Sequence, residues 1–534
     1  MRAVSTLARA CLLLASAACL QVAAAELEST AAAPTDPAGP GATASSAEGS
    51  SPTPAAPGAE ASLSGLPPRA WTVVPSLSAS EHFTDNLFLA AERPQSGFYT
   101  TWVPGLAIRG DTRRLQVDAD WAAERLMFLD DPELDRTTQR LHGHLAATLI
   151  EEHLFVDAFG ALYPSLVEGA GRLGNLGRNA RSARGALVGG EANRTDVTTW
   201  GVTPRWRQDF GSFATFTASA TFSDTATDAA GRVGGGEGRD WRARLETGRR
   251  FQRWHWGLDY ERRDNEASRS GVSSVFQRLW LDSRWDATRK LALTAALGVE
   301  DNQFVSRFRQ RHGPVWQLGF DYTPTPRSSV RASVGERSFG STKAFALRHR
   351  LRSFVLSARY DEDLRTTSEL LRARAVLPAT DAFGQPLPVD PAANLDGVLP
   401  LDQLSLVDEV FVNRVFSAGL GYQRRRDEIS LNVYRVLQGA TRRQREEVAV
   451  GTTAVWRHQF GRRLSGGLQL NYQSREAGSP RLTTDFAWVS PFLQWQLGPS
   501  ARLVLNYSWM ESASSRATDS FRENALMLGL SYAF

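Results

Sequence analysis

Alternation of apolar with small or polar residues runs through most of this chain and restricts its fold more than any other feature. In the segment RLVLNYSWM (502–510), one set of alternate positions holds Leu503, Leu505, Tyr507 and Trp509. The positions between them hold Val504, Asn506 and Ser508. Segments 291–299, 314–322 and 464–472 repeat the pattern. A period of two residues is typical of β-strands with one apolar face. The chain is therefore predicted to be all-β, with many strands whose second face is polar.

Apolar runs in the chain are too short for membrane helices, which need about 18 or more consecutive apolar residues. A membrane protein without such helices must close its strands into a barrel, because unpaired backbone groups are costly in hydrocarbon. Strands with apolar outer positions and polar inner positions fit that architecture. We predict a transmembrane antiparallel up-and-down β-barrel over 71–534, with about 22 strands within a range of 18 to 24.

Connections between the predicted strands alternate in length. Short turns are predicted at 109–114, 151–153, 209–213, 251–253, 288–290, 323–327, 424–428, 459–463 and 497–501. Longer polar links are predicted at 83–97, 129–136, 164–196, 223–238, 263–273, 303–312, 363–407 and 475–482. Outer-membrane barrels have short periplasmic turns and longer outer loops. The alternation therefore predicts the outer membrane of a Gram-negative bacterium, with both ends of the chain in the periplasm.

The first 70 residues have a composition unlike the rest. Residues 1–25 carry two arginines, a short apolar core and a small-residue cleavage site, which together predict a signal peptide. Residues 26–70 are rich in Ala, Pro and Ser and are predicted to form a disordered periplasmic linker. Cys11 and Cys19 are the only cysteines, so thiol chemistry is not expected beyond residue 25.

The last predicted strand has one strongly apolar face. That face carries Leu526, Leu528, Leu530, Tyr532 and Phe534. A terminal aromatic residue preceded by alternating apolar residues resembles the signal that the barrel-assembly machinery reads. We expect this strand to pair with the first strand and close the barrel, with outer-membrane lipid and the barrel-assembly machinery as partners.

Four segments carry a more particular resemblance. They are VVPSLSASEHFTDNLFLA (73–90), WVPGLAIRGDTRRLQVDADW (102–121), VTTWGVTPRWRQDFGSFATF (197–216) and YDEDLRTTSEL (360–370). The chain resembles an uncharacterised outer-membrane β-barrel family associated with the PEP-CTERM/exosortase system and encoded beside exopolysaccharide genes. The resemblance implies a role beside that system in exopolysaccharide biogenesis, with periplasmic export components as possible partners. It transfers no functional residues, and the chain ends in a strand without the sorting tail of that system.

Motifs for catalysis and cofactors are weak throughout. His142 and His144 share a predicted strand face without a third ligand nearby, and glycine-rich 231–240 lacks the Lys-Ser/Thr of a phosphate-binding loop. Acidic 128–135 lacks the spacing of a calcium loop. The net charge of +4 is small, and basic and acidic residues are interspersed, which argues against nucleic-acid binding. We predict no catalytic residue, metal or cofactor and no enzymatic activity.

Charged residues on the predicted inner faces suggest two arrangements. Arg242 and Arg244 are predicted to meet Asp259 and Glu261 across one hairpin, as a ladder that holds the wall together. Six other inward arginines have fewer carboxylate neighbours in the sequence and are candidates for a basic stripe that contacts an anionic polymer. They are Arg205, Arg207, Arg331, Arg337, Arg348 and Arg350. Wall ladders remain the alternative explanation for these six.

Several functions fit these predictions. The family resemblance favours a barrel that supports export or assembly of exopolysaccharide across the outer membrane. The barrel alone also allows a general diffusion porin, or the sheath of a larger envelope complex. A plugged, ligand-gated transporter is disfavoured, because the residues ahead of Trp71 are few and polar.

Overall fold

Twenty-two strands form one sheet in the computed structural model, which describes residues 70–166, 194–227, 235–267, 273–304, 312–376, 410–440, 446–477, 482–515 and 520–534. The described residues all belong to one structural unit, Ala61–Phe534. The predicted signal peptide and nearly all of the predicted linker lie outside the described residues.

The strands are numbered in chain order. They are β1 (Trp71–Thr84), β2 (Gly97–Asp111), β3 (Leu115–Phe128), β4 (Arg136–Ile150), β5 (Leu154–Leu166), β6 (Arg194–Phe210), β7 (Ala214–Thr227), β8 (Gly236–Thr247), β9 (Trp254–Ala267), β10 (Ser273–Asp286), β11 (Leu291–Gln303), β12 (His312–Thr325), β13 (Ser328–Arg337), β14 (Gly340–Arg350), β15 (Phe354–Arg365), β16 (Phe411–Arg424), β17 (Asp427–Ala440), β18 (Glu446–Gln459), β19 (Leu464–Ala477), β20 (Leu482–Gln496), β21 (Ala501–Ser514) and β22 (Phe521–Ala533).

Each strand pairs antiparallel with its neighbours in sequence, and the sheet closes where β1 pairs with β22. The closing ladder runs from Ser76 opposite Ala533 to Thr84 opposite Ala525. At one end of this ladder the hydroxyl of Thr84 donates to Glu523 Oε1 over 2.6 Å. The predicted closed antiparallel barrel of 22 strands is therefore confirmed.

Links between strands differ at the two ends of the barrel. At the short-turn end, the longest link joins Thr247 to Trp254, and the two shortest join Thr325 to Ser328 and Arg424 to Asp427. The other end, called the loop end, carries most of the longer links. The predicted alternation fails at one place there, because Arg337 and Gly340 are joined by a tight turn. Gly340 has a φ of +118°, which glycine adopts without a Cβ clash.

The outer surface of the barrel is apolar. Trp254 and Trp285 lie opposite each other at the short-turn end, and their exposed fractions are 58% and 53%. Other exposed aromatic residues near that end are Trp71, Trp206, Tyr322, Phe354, Trp456, Trp495 and Tyr532. Exposed aromatic residues farther toward the loop end include Phe98, Trp200, Phe222, Trp241, Trp316, Phe345 and Phe416. Two aromatic girdles around an aliphatic band are typical of barrels that cross a membrane.

The predicted assembly-signal residues all lie on this outer surface. Leu526, Leu528 and Leu530 have exposed fractions of 46%, 49% and 47%, and Tyr532 and Phe534 follow on the same face. The two aromatic rings contact each other edge to face, with 4.8 Å between their centroids. Recognition of this strand by the assembly machinery stays a prediction.

Among the described residues, one α-helix interrupts the series of strands. Helix α1 (Thr367–Val376) begins directly after β15, and a short 3₁₀ helix covers Pro132–Leu134. Among the residues that the structure describes, no helix is long and apolar enough to cross a membrane.

Candidate functional site: a helix and an arginine patch in the lumen

Helix α1 lies inside the barrel, against the inner wall formed by β5 to β8. Its partners identify the lumen as its location, because they alternate with exposed apolar residues of the outer surface. Ser223 is adjacent to Phe222, whose side chain is exposed on the outer surface, so Ser223 faces inward. On β9, Asn265 and Arg263 are separated from the exposed Leu258 by odd numbers of residues, so they lie on the opposite, inner face. Because α1 starts at β15 and contacts strands several positions away around the sheet, its segment passes into the lumen at the loop end.

The first turn of α1 is fixed by a capping box. The amide of Thr366 donates to Glu369 Oε2 over 2.8 Å, and the amide of Glu369 donates to the Thr366 hydroxyl over 3.2 Å. This reciprocal pair satisfies two backbone donors that a helix start leaves open. The sequence Thr366-Thr-Ser-Glu369 has the capping-box pattern and indicates a helix start. It lies within the segment 363–407, which we predicted as a polar outer link. That prediction is wrong for 366–376, because the described helix is inside the lumen.

Glu369 also binds the barrel wall. Arg263 Nη1 donates to Glu369 Oε1 over 3.0 Å, and Asn265 Nδ2 donates to the same oxygen over 3.2 Å. The guanidinium of Arg263 lies 4.9 Å from the ring centroid of Phe276. It also lies 3.5 Å from Glu261 Oε1. The helix is therefore joined to a charge network of the wall through one buried ion pair.

A second buried cation of the helix occupies a space that a glycine leaves open. Arg372 donates through Nη1 to the Ser223 hydroxyl and through Nη2 to Asn265 Oδ1. A Cβ added to Gly238 would lie 1.4 Å from Arg372 Nη1. Tyr163 on β5 completes the attachment by donating its hydroxyl to the Leu371 carbonyl over 3.0 Å. Side chains from β5, β7 and β9, together with the gap at Gly238 on β8, thus position one short helix.

The chain that leads into α1 is held by Arg337, one of the six predicted basic-stripe residues. Its side chain is only 14% exposed and donates to Glu300 over 2.7 Å and to Asp363 over 3.1 Å. Leu364 follows in a buried cluster with Phe276. Arg337 is therefore part of the wall and not a surface that a passing polymer meets.

Four of the other stripe residues divide into two groups. Arg205 lies 3.7 Å from Asp157, and Arg207 lies 3.4 Å from Asp209, so both have carboxylate partners. Arg348 and Arg350 are exposed on β14 and form no ion pair within the described ranges. The six residues do not form one stripe, because Arg205 and Arg207 lie on β6, far around the barrel from the four on β13 and β14.

Strands β13 to β15 do bring a smaller group together, which we call the lumenal arginine patch: Arg331, Arg348, Arg350 and Arg359. In the register, Arg331 and Arg359 both lie opposite Ala346, and Arg348 lies opposite Ser357 in the adjacent row. The side chains of Arg331 and Arg359 are 70% and 71% exposed.

Within the part of the chain that the structure describes, carboxylates pair with only two of the four arginines of this patch. Arg331 donates to Asp321 over 2.8 Å, and Arg359 donates to Asp361 over 2.8 Å. Arg359 was not predicted as a lumenal residue, although it shares alternate positions with Val355 and Ser357 on β15, which indicates the same face.

The predicted wall ladder is present on neighbouring strands. Arg242 lies 3.2 Å from Glu261, and Arg244 lies 3.6 Å from Asp259. Arg244 also reaches Asp282 on β10 over 3.1 Å. Among the described residues, no group of three or more His, Cys, Asp and Glu side chains is arranged to hold a metal ion.

The fold and its outer surface define the class: a transmembrane β-barrel of the outer-membrane type, here with a helix attached inside its lumen. Sequence comparison finds no matching family model and no matching curated protein.

Solved structures with a similar strand arrangement include three receptors. The siderophore receptor PirA from Pseudomonas aeruginosa matches with a TM-score of 0.41 and 13% identity over 86% of this chain and 80% of that chain. A mutant of the ferric enterobactin receptor PfeA from Pseudomonas aeruginosa, in complex with enterobactin, gives 0.47 and 12% over 86% and 81%. PirA from Acinetobacter baumannii gives 0.47 and 8% over 86% and 80%.

Proposed function

We propose that this protein is an outer-membrane channel through which an anionic exopolysaccharide leaves the cell. The loop end would face the exterior and the short-turn end the periplasm, as the connection lengths predict. The choice of exopolysaccharide comes from the family resemblance of the segments quoted above. Periplasmic export components are the partners that such a channel needs.

The lumenal arginine patch is the observation that carries this proposal. A polymer in transit must be bound weakly at several places, since tight binding at any one place would stop it. Guanidinium groups bind carboxylate or phosphate through two parallel hydrogen bonds, and they remain charged at every physiological pH. Arg348 and Arg350 offer cations that pair with no carboxylate among the described residues, while Arg331 and Arg359 can exchange Asp321 and Asp361 for groups of the polymer.

Helix α1 has a separate role in the proposal. It occupies part of the lumen at the loop end, away from the lumenal arginine patch. The helix therefore narrows the exit and limits the leakage of small solutes. Its attachment to the wall uses polar contacts of Arg263, Asn265 and Ser223.

The test uses the purified full-length barrel in planar bilayers with a salt gradient and a short uronic-acid oligosaccharide. We expect wild-type channels to prefer anions and to be blocked transiently by the oligosaccharide. Arg348→Glu combined with Arg350→Glu should reverse the ion preference and abolish the block. Arg205→Gln is the matched control, because Arg205 is an inner-wall arginine that already has a carboxylate partner.

Two outcomes would contradict the proposal. Channels that conduct small ions but show no oligosaccharide block in the wild type would favour the general diffusion porin. An equal loss of the block in Arg205→Gln and in the double variant would show that the patch has no special part in it.

A further inference from the structure

A group of cations lies on the outer surface at the loop end of β14 to β17. Phe345 and Phe416 mark the outer face there, with exposed fractions of 37% and 38%. Lys343 and Arg414 are each two residues from one of these rings and therefore share their face. Arg435 lies directly opposite Phe416 in the β16–β17 ladder. The three cations thus face the membrane and not the lumen.

Only one of the three cations pairs with a carboxylate among the described residues. Glu362 lies opposite Arg414, with 3.8 Å between Arg414 Nε and Glu362 Oε2, and it also accepts a hydrogen bond from the Tyr360 hydroxyl. Lys343 and Arg435 are exposed and form no ion pair with any residue that the structure describes.

Three other outward arginines near the loop end, within the described ranges, each pair with one carboxylate. Their pairs are Arg125 with Asp135 at 3.2 Å, Arg262 with Asp264 at 2.9 Å, and Arg522 with Glu511 at 3.0 Å. The next strand before the group carries Glu336 on its outer face, opposite Trp316. The excess of positive charge is therefore local to β14–β17.

An aromatic row borders the cations on the side of the apolar band. Phe345 lies opposite Tyr360, and Tyr360 lies opposite Phe416, so three rings follow one another across the strands. Long cationic side chains at such a boundary extend their charged ends toward the headgroups while their stems remain on apolar surface. Basic groups at this depth attract anionic headgroups.

We infer that Lys343, Arg414 and Arg435 form a binding site for the phosphate groups of a phosphorylated glycolipid in the outer leaflet, whose acyl chains lie along the aromatic row. The inference rests on the orientation given under the proposed function, but not on any transported substrate. In the opposite orientation the same site would meet the phospholipids of the inner leaflet.

The test is native mass spectrometry of the full-length barrel in detergent with three added lipids: bisphosphorylated lipid A, dephosphorylated lipid A and phosphatidylglycerol. The variant is Lys343→Gln with Arg435→Gln, which leaves the Arg414–Glu362 pair intact. The control is Arg125→Gln with Arg262→Gln, which removes two outward arginines that have partners. We expect bisphosphorylated lipid A to bind the wild type and the control alike, and to bind the variant at least tenfold more weakly.

Each other outcome overturns the inference. Equal binding of the dephosphorylated lipid would remove the role of phosphate, and equal binding to the variant would remove the role of these cations. Tighter binding of phosphatidylglycerol than of lipid A would reject the outer-leaflet glycolipid and contradict the orientation. The bilayer experiment on the lumenal arginine patch would be unaffected by any of these results.

Discussion

Arg263 on β9 and Glu369 on α1 form an ion pair of 3.0 Å inside the lumen, and their side chains are only 11% and 6% exposed. The two residues belong to different parts of the structure, since one is in the wall and the other in the segment that follows β15. Removing one partner of a buried pair costs about 3–5 kcal/mol, because the other charge stays buried without compensation. The position of α1 therefore depends strongly on this contact.

We expect Glu369→Gln to release α1 from the wall without unfolding the barrel. The amide would place a donor against Arg263 and Asn265, while the strand ladders are unchanged. In the folded, detergent-solubilised barrel, trypsin should then cleave after Arg372, which is buried in the wild type. Single-channel conductance should rise as the lumen widens.

Arg262→Gln is the control for that experiment. Arg262 is the neighbour of Arg263 but faces outward, where it pairs with Asp264. Exposed ion pairs contribute about 0–1 kcal/mol, so cleavage and conductance should match the wild type. Cleavage after Arg372 in the wild type and the control would contradict the described position of α1.

The space beside Gly238 gives a second prediction about α1. In Gly238→Ala, the new methyl group must displace the Arg372 guanidinium, which would lose its hydrogen bonds to Ser223 and Asn265. We expect faster tryptic cleavage after Arg372 than in the wild type. Gly313→Ala is the matched control, because an added Cβ there meets no atom within 4 Å. Equal cleavage rates in the two variants would count against the role of the gap.

The two faces of β12 predict effects of very different size for the same substitution. Leu318 is 54% exposed on the outer surface, whereas its neighbour Gln317 faces inward and donates to the Ser333 hydroxyl over 2.6 Å. Arginine facing lipid costs about 2–4 kcal/mol near the midplane. Leu318→Arg should therefore lower the amount of heat-modifiable, folded protein in the membrane, and Gln317→Arg should lower it much less. Similar folded amounts would be inconsistent with the assigned outer face.

Orientation is testable with single cysteines, since Cys11 and Cys19 lie in the predicted signal peptide and the rest of the chain has none. Asp130 is exposed between β3 and β4 at the loop end, and Arg289 is exposed between β10 and β11 at the short-turn end. A membrane-impermeant maleimide added to intact cells should label Asp130→Cys and spare Arg289→Cys. The reverse labelling would place the loop end in the periplasm.

Local patterns in the sequence were sufficient to predict the barrel. A period of two residues and short polar turns are both properties of consecutive residues, and they identified the number of strands and the closure of β1 on β22. The turn between Arg337 and Gly340 was not predicted as a connection, because its only signal is one glycine in a polar stretch.

Contacts inside the lumen depend on residues far apart in sequence, and the sequence did not predict them. Arg337 binds Glu300, 37 residues earlier, and Asp363, 26 residues later, so its partners were not visible beside it. The attachment of α1 to β9 was not predicted for the same reason, because its residues are far apart in sequence. The capping box at Thr366 and Glu369 is local and did carry a signal, but the polar composition of 363–407 favoured a loop.

The central claim is that the barrel conducts an exopolysaccharide, and a deletion strain tests it most directly. We expect the strain to retain the enzymes that make the polymer and to lose polysaccharide from the cell surface and medium. The wild-type gene should restore export, and Arg348→Glu with Arg350→Glu should not, although that variant should assemble as a folded barrel. Unchanged extracellular polysaccharide in the deletion strain would contradict the claim.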